Sequence, residues 1–93
     1  MKKFRLNLYI AGRVMQSLRA IDNLQRICED QIPGLYDLTI IDVLENPSVL
    51  ERENITHTPL VVRQLPLPKK RSVGDLTTEV DKFIRTFDLY PDK

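Results

Sequence analysis

Cysteine, glycine and long apolar runs are scarce in this sequence, and each scarcity excludes a class of protein. The 93 residues include one cysteine, three glycines and no tryptophan. One cysteine allows neither an internal disulfide nor a zinc site built from cysteines, and it favours a reducing, cytoplasmic compartment. Uninterrupted apolar runs stop at four residues, so no transmembrane helix is predicted. Arg5 and Asn7 interrupt the first apolar stretch, which therefore does not resemble a signal peptide.

The composition that remains is typical of a soluble globular domain, and we expect one domain over residues 1–93. Apolar residues make up 42% and charged residues 29% of the chain, close to the average for such domains. The net charge of +1 conceals an uneven layout, with bases but no acids at 1–21 and 57–73 and mostly acids at 37–55. Such a distribution can steer a charged partner, although ordinary solvation of loops and strand ends explains it equally well.

The first half of the chain predicts a strand, a helix and a second strand. Phe4–Ile10 alternates apolar and polar residues, as a half-buried strand does. From Met15 apolar residues recur every three or four positions, which predicts a helix capped by Ser17 and ended by Pro33-Gly34. Leu38–Leu44 is rich in Ile and Val and predicts a largely buried strand. This βαβ unit implies parallel strands joined by a right-handed crossover.

The second half predicts shorter elements. Asn46 is a candidate helix cap with Pro47 at the first helical position, and the helix that follows ends near Asn54. Leu60–Leu65 predicts a third strand, and Lys70–Val73 predicts a short edge strand whose lysines discourage aggregation.

A final amphipathic helix is predicted to begin at Asp75 or Thr77. Its apolar face contains Leu76, Val80, Phe83, Ile84 and Phe87. The predicted order is therefore β-α-β-α-β-β-α, an α/β fold with helices on both faces of a small mixed sheet. This order is the thioredoxin-like layout.

The residues that thioredoxin chemistry requires are missing. A thiol–disulfide enzyme carries its cysteines in the loop before the first helix, where the helix dipole lowers the thiol pKa, but residues 12–17 here read GRVMQS. Cys28 lies on the apolar face of the helix and is expected to be buried and inert. His57 is the single histidine, which excludes a multi-histidine metal site. We therefore predict no catalytic residue, no metal and no cofactor.

The sequence resembles the KaiB family of circadian clock proteins over nearly its whole length. The matching segments are Leu8–Gly12, Ser17–Ala20, Ile41–Pro47, Thr56–Leu60, Leu65–Pro68 and Gly74–Leu76. The resemblance implies a non-enzymatic regulator that binds a KaiC-type ATPase or kinase, with a link to a clock histidine kinase pathway. It also implies a metamorphic fold, in which a thioredoxin-like form alternates with a homo-oligomer whose C-terminal half is rearranged.

The resemblance also implies which cations contact the partner. It carries that role over to Arg19, Arg63 and Lys70, each of which is expected at the surface, facing an acidic patch on the ATPase ring. We include Lys69 and Arg71 because they complete the same basic run. Without the resemblance, this run is a weak signal for nucleic-acid binding, since no aromatic residue lies within it. A thioredoxin-related redox protein that uses Cys28 is the alternative to the regulatory function.

Five residues are candidates for controlling the change of fold. Pro59, Pro66 and Pro68 form X-Pro bonds, which isomerise slowly and can gate a rearrangement, unless they simply terminate strands. Arg85 and Phe87 stand near positions where the family commonly has Gly and Asp. Both residues favour a continuous C-terminal helix, and hence the thioredoxin-like form. These departures make a role outside the clock, such as stress adaptation, an expected divergence.

Overall fold

A four-stranded mixed sheet forms the centre of the computed structural model, which describes residues 3–92. Its strands are β1 (Phe4–Ile10), β2 (Tyr36–Asp42), β3 (Leu60–Leu65) and β4 (Lys70–Val73), in the spatial order β2-β1-β3-β4. β1 runs parallel to β2 and antiparallel to β3, and β4 is antiparallel to β3. Lys2, one of the N-terminal bases, lies outside the described residues.

Three helices cover the sheet: α1 (Met15–Gln31), α2 (Ser48–Arg52) and α3 (Val80–Phe87). The element order β-α-β-α-β-β-α agrees with the prediction, as do the bounds of β1, β3 and β4. Across residues 3–92, no helix combines the length and the apolar character needed to cross a membrane.

The alternation along β1 divides the apolar residues into two clusters. Phe4, Leu6, Leu8 and Ile10 point to one face, where they pack with buried residues of α1 and α3. On the other face Tyr9 packs with Val43, Val49, Ile55, Leu60 and Val62, beneath α2. Both faces of the sheet are therefore covered, as the predicted three-layer arrangement requires.

The prediction for β2 is wrong in its position and its burial. The strand begins two residues earlier than the predicted Leu38, and Leu44 lies beyond its end. None of its residues is fully buried, because β2 is an edge strand that pairs only with β1. The Ile and Val content indicated a strand, but it could not indicate which strand of the sheet is central.

Two predicted helix caps are also wrong. Ser17 is a buried residue inside α1, and the N-cap position is held by Val14, whose side chain makes no capping hydrogen bond. The Asn46 side chain donates to the carbonyl of Asp42 at 3.2 Å instead of capping α2, and Pro47 occupies the N-cap position. The loop before α1 is held by the long-range hydrogen bond from Gly12 to Asp42, and the loop before α2 is held by local hydrogen bonds to Asp42.

α3 begins later than predicted, at Val80. Leu76 and Glu79 have positive φ angles of 64° and 56°, which an α-helix cannot contain. The Asp75 carboxylate accepts the backbone N–H of Thr77 at 3.1 Å, a local turn that competes with the helix. The Asp75 carbonyl also accepts the Asn23 side chain of α1 at 2.9 Å, which fixes this turn against the first helix.

Candidate functional site

The loop that carries the cysteines of a dithiol enzyme is rigidly built here without them. One oxygen of the Asp42 carboxylate accepts the backbone N–H groups of Gly12 and Leu44, each at 3.0 Å. Gly12 has a φ of 76°, and a Cβ at this position would lie 3.3 Å from Leu44 Cδ1, so the backbone conformation favours glycine. The carboxylate thus joins the loop after β1 to the loop after β2, at the carboxyl ends of two parallel strands.

Cys28 is fully buried within α1, on the face that packs against the sheet. Burial raises the pKa of the Cys28 thiol to about 12, and the negative charge of Glu29 adds to the shift. A thiol that remains protonated and inaccessible at neutral pH is a poor nucleophile. The geometry therefore agrees with the expectation that Cys28 is inert and disfavours the redox alternative.

The five predicted contact cations do not form one cluster. Arg19 is an exposed residue of α1. On the other face of the sheet, the Arg71 guanidinium donates to the carbonyls of Glu53 at 2.8 Å and Asn54 at 3.1 Å, just beyond α2. Lys69 Nζ lies 4.0 Å from Glu53 Oε1. Lys70 is half-buried on β4.

The expectation that Arg63 is a surface cation is wrong. Arg63, on β3, is only 3% exposed, and its side chain extends to the C-terminus of α3. Its guanidinium donates to the Phe87 carbonyl at 2.5 Å and to the Pro68 carbonyl at 2.7 Å. Burial lowers the pKa of Arg63, and the nearby charge of Asp88 opposes that shift. A buried arginine that satisfies two backbone carbonyls is a structural residue, so a direct partner contact through it is not supported.

Glu53 holds together a polar cluster that the sequence did not reveal. Its carboxylate oxygen Oε1 accepts the Tyr9 hydroxyl at 3.3 Å and the Gln64 side-chain amide at 3.4 Å. Burial raises the pKa of Tyr9, while the Asn7 amide that donates to its hydroxyl at 3.1 Å opposes the shift. Glu53 is half-buried and connects the end of α2 to β1 and β3.

The candidate switch residues occupy three different environments. Pro59 is buried immediately before β3, and its carbonyl accepts the Gly74 N–H at 2.9 Å. Pro66 and Pro68 are exposed in the turn between β3 and β4, and all three X-Pro bonds are cis. On α3, Arg85 is exposed, and the buried Phe87 ring lies 4.3 Å from the ring of Phe83. Their role in a change of fold remains a prediction.

His57, the single histidine, lies at the surface. The residue is exposed, and its Nδ1 lies 3.0 Å from the Thr56 hydroxyl oxygen. Among residues 3–92, no group of three or more His, Cys, Asp or Glu side chains is arranged to hold a metal ion.

Comparison with solved structures defines the class of protein. The N-terminal domain of Synechococcus elongatus SasA superimposes with a TM-score of 0.77 and 20% identity, over 94% of this chain and 84% of that one. A chloroplastic thioredoxin z superimposes with a TM-score of 0.72 and 20% identity, over 94% and 80%. The fold is thioredoxin-like, and the loop after β1 lacks the cysteines of a dithiol enzyme.

The sequence comparisons identify the family within that class. The KaiB domain model matches residues 7–85. The circadian clock protein KaiB3 of a Synechocystis species is 39% identical over 92 residues, covering 99% of this chain and 89% of that protein. The circadian clock oscillator protein KaiB of Synechococcus elongatus is 43% identical over 88 residues, covering 95% and 85%. This chain belongs to the KaiB family.

Proposed function

We propose that this chain is a non-enzymatic clock regulator that binds a KaiC-type ATPase or kinase and modulates its signalling. The observation that carries the proposal is the likeness to KaiB clock proteins over 95–99% of the chain. The link to a clock histidine kinase pathway is carried over from the family resemblance, and the likeness to the SasA N-terminal domain supports the shared fold. We further propose that the protein acts in the cytoplasm, forms a dimer or tetramer when free, and has diverged toward stress adaptation.

The partner surface that we propose contains the accessible members of the predicted cationic set. Arg19 is exposed, and it makes no hydrogen bond or ion pair within residues 3–92. Lys69, Lys70 and Arg71 lie on the edge strand and the turn before it, where a partner can approach. Arg63 supports this region indirectly, because its bond to the Pro68 carbonyl holds the turn that leads to Lys69.

Charge reversal tests these contacts. We expect Arg19→Glu and Lys70→Glu each to weaken the complex with a purified KaiC-type hexamer about tenfold, since each removes a charge-assisted bond and adds a repulsion. Arg52→Glu, an exposed change on α2, is the matched control and should leave the affinity unchanged. Binding is measured by analytical ultracentrifugation at low ionic strength, where screening is weak.

The two ways in which this experiment can fail are distinct. If the unmodified protein forms no complex with the hexamer, the proposed function is wrong. If it binds and the folded Arg19 and Lys70 variants bind equally well, the function stands and the contact residues are misassigned.

A thiol-reactive dye distinguishes the regulator from the redox alternative. Because Cys28 is buried and its pKa is raised to about 12, we expect labelling at neutral pH only after denaturant unfolds the chain. Rapid stoichiometric labelling of the native protein would instead support the redox alternative.

A further inference from the structure

Exposed apolar side chains collect at the carboxyl ends of β1 and β2. Val14 is 59% exposed, Met15 64%, Leu18 44% and Leu44 69%. We call these four residues the strand-end surface. Solvent-exposed apolar side chains of this size, when contiguous, mark sites of protein association.

The fold holds the strand-end surface in place before any partner arrives. The Asp42 carboxylate joins the loops after β1 and β2 through the N–H groups of Gly12 and Leu44, and the Leu44 side chain rests against Gly12. Met15 and Leu18 occupy neighbouring positions in the first turn of α1. A preformed surface does not have to be ordered during binding, which favours affinity.

The surface also lies where α/β sheets commonly bind their ligands. From β1 the chain crosses through α1 to β2 on one side, while β3 lies on the other side of β1. The surface lies at the carboxyl ends of the parallel pair β1 and β2, and binding sites in open α/β sheets form outside the carboxyl ends of their parallel strands.

Two arginines border the strand-end surface, and their guanidinium groups are free to bind a partner. Arg13 and Arg19 are exposed, and neither makes a hydrogen bond or ion pair within residues 3–92. Hydrogen bonds from Thr77 lower the pKa of the Asp75 carboxyl, and the positive charge of Arg19 contributes to that shift without a hydrogen bond between the two side chains. Glu45 is exposed beside Leu44, at the edge away from α1. The α1 side of the surface thus favours carboxylates on the partner.

We propose that the strand-end surface docks an acidic amphipathic helix of the partner protein. The apolar face of that helix covers Met15, Leu18 and Leu44, and its carboxylates meet Arg13 and Arg19. A helix fits because all four residues of this surface lie outside the strands, so recognition proceeds through side chains. A second copy of the chain fits less well, since a two-fold contact sets Arg13 and Arg19 near their own copies. The inference rests on the proposed function in taking the partner to be a protein.

The first test uses the KaiC-type hexamer. We expect Met15→Asp and Leu44→Asp each to weaken the complex at least about tenfold, because each places a charge in a buried apolar contact. The matched control is Gln25→Asp. Gln25 is exposed in the second half of α1, outside the strand-end surface and the β4 region, and its variant should bind within about twofold of the unmodified protein. Equal binding by the Met15 and Leu44 variants overturns the inference while leaving the proposed function intact.

The second test is independent of the hexamer, so the inference remains testable if the hexamer does not bind. The probe is a synthetic helical peptide with leucines on one face and glutamates on the other, titrated into the ¹⁵N-labelled chain. We expect saturable shifts confined to residues 12–19 and 44, and none with a peptide carrying lysine in place of glutamate. Shifts elsewhere, equal binding of both peptides, or no binding overturns the inference. So does a homodimer that Met15→Asp dissociates, since the occupant is then a second copy.

Discussion

Arg63 shows how the environment of one residue decides its role. As a sequence position it is a cation in a basic region, but its place on β3 points it toward the end of α3. The last carbonyls of a helix lack intrahelical partners, and the Arg63 guanidinium supplies one for Phe87 while it also holds Pro68. A positive charge at a helix C-terminus also interacts favourably with the helix dipole.

Removing that guanidinium should destabilise the protein. We expect Arg63→Met to lower the free energy of unfolding by about 2 kcal/mol, because two backbone carbonyls lose their donor in a largely buried site. Arg85→Met, at an exposed position of α3, is the control and should change it by less than about 0.5 kcal/mol. Urea unfolding measures both variants, and equal losses would contradict the assigned role.

Cys28 should make the stability fall at alkaline pH. Its thiol has a pKa of about 12 in the folded protein against an ordinary 9.0, so the folded state keeps the proton longer. Its contribution is fully present below pH 9 and is lost as the pH rises toward the folded pKa. Between roughly pH 8 and pH 10.5 we expect the free energy of unfolding to fall by about 2 kcal/mol because of Cys28. The Cys28→Ala variant should not show this fall. Urea unfolding measures the free energy of unfolding of both proteins at each pH, and the difference between them cancels the contribution of the tyrosines, which both contain. If the two free energies changed in parallel with pH, the pKa of the buried thiol would not be raised.

At the scale of the elements, the sequence predicts best where one strong pattern decides the outcome. β1 and β3 follow from period-2 or continuous apolar runs bounded by polar and turn residues, and their predicted bounds match the structure. The start of α3 and the edge position of β2 depend on contacts far along the chain, such as Asn23 to Asp75. In the candidate site, the missing cysteines and the buried thiol follow from the sequence. The burial of Arg63 and the Glu53 cluster require the packed structure.

The start of α3 contains a strained residue that can be relieved. Glu79 is exposed and has a φ of 56°, a region that costs an ordinary residue about 1 kcal/mol. We expect Glu79→Gly to raise the free energy of unfolding by roughly 0.5 kcal/mol after the entropy of glycine is included. Asp81→Gly, two residues later inside the helix, should lower it by roughly 0.5–1 kcal/mol, because glycine is a poorer helix former and the acidic charge in the first turn is lost. Thermal unfolding by circular dichroism compares them, and a destabilised Glu79→Gly would show that its side chain stabilises the helix start.

For the whole molecule, stability should be graded across the sheet. β1 is hydrogen-bonded on both sides and holds the most buried apolar residues, whereas β4 pairs only with β3 and has exposed positions. In native-state hydrogen exchange we therefore expect the β1 amides of Leu6 and Leu8 to exchange most slowly and those of β4 much faster. Exchange of β4 as slow as that of β1 would mean that the sheet opens only as a unit.

The central position of β1 bears on how the chain emerges during synthesis. β1 is synthesised before both of its neighbours in the sheet, whereas β3 follows only after α2, and α3, whose buried residues share the apolar cluster of Leu8, is the last of these elements. A nascent chain therefore carries its most apolar strand only partly covered until residues through Phe87 have left the ribosome.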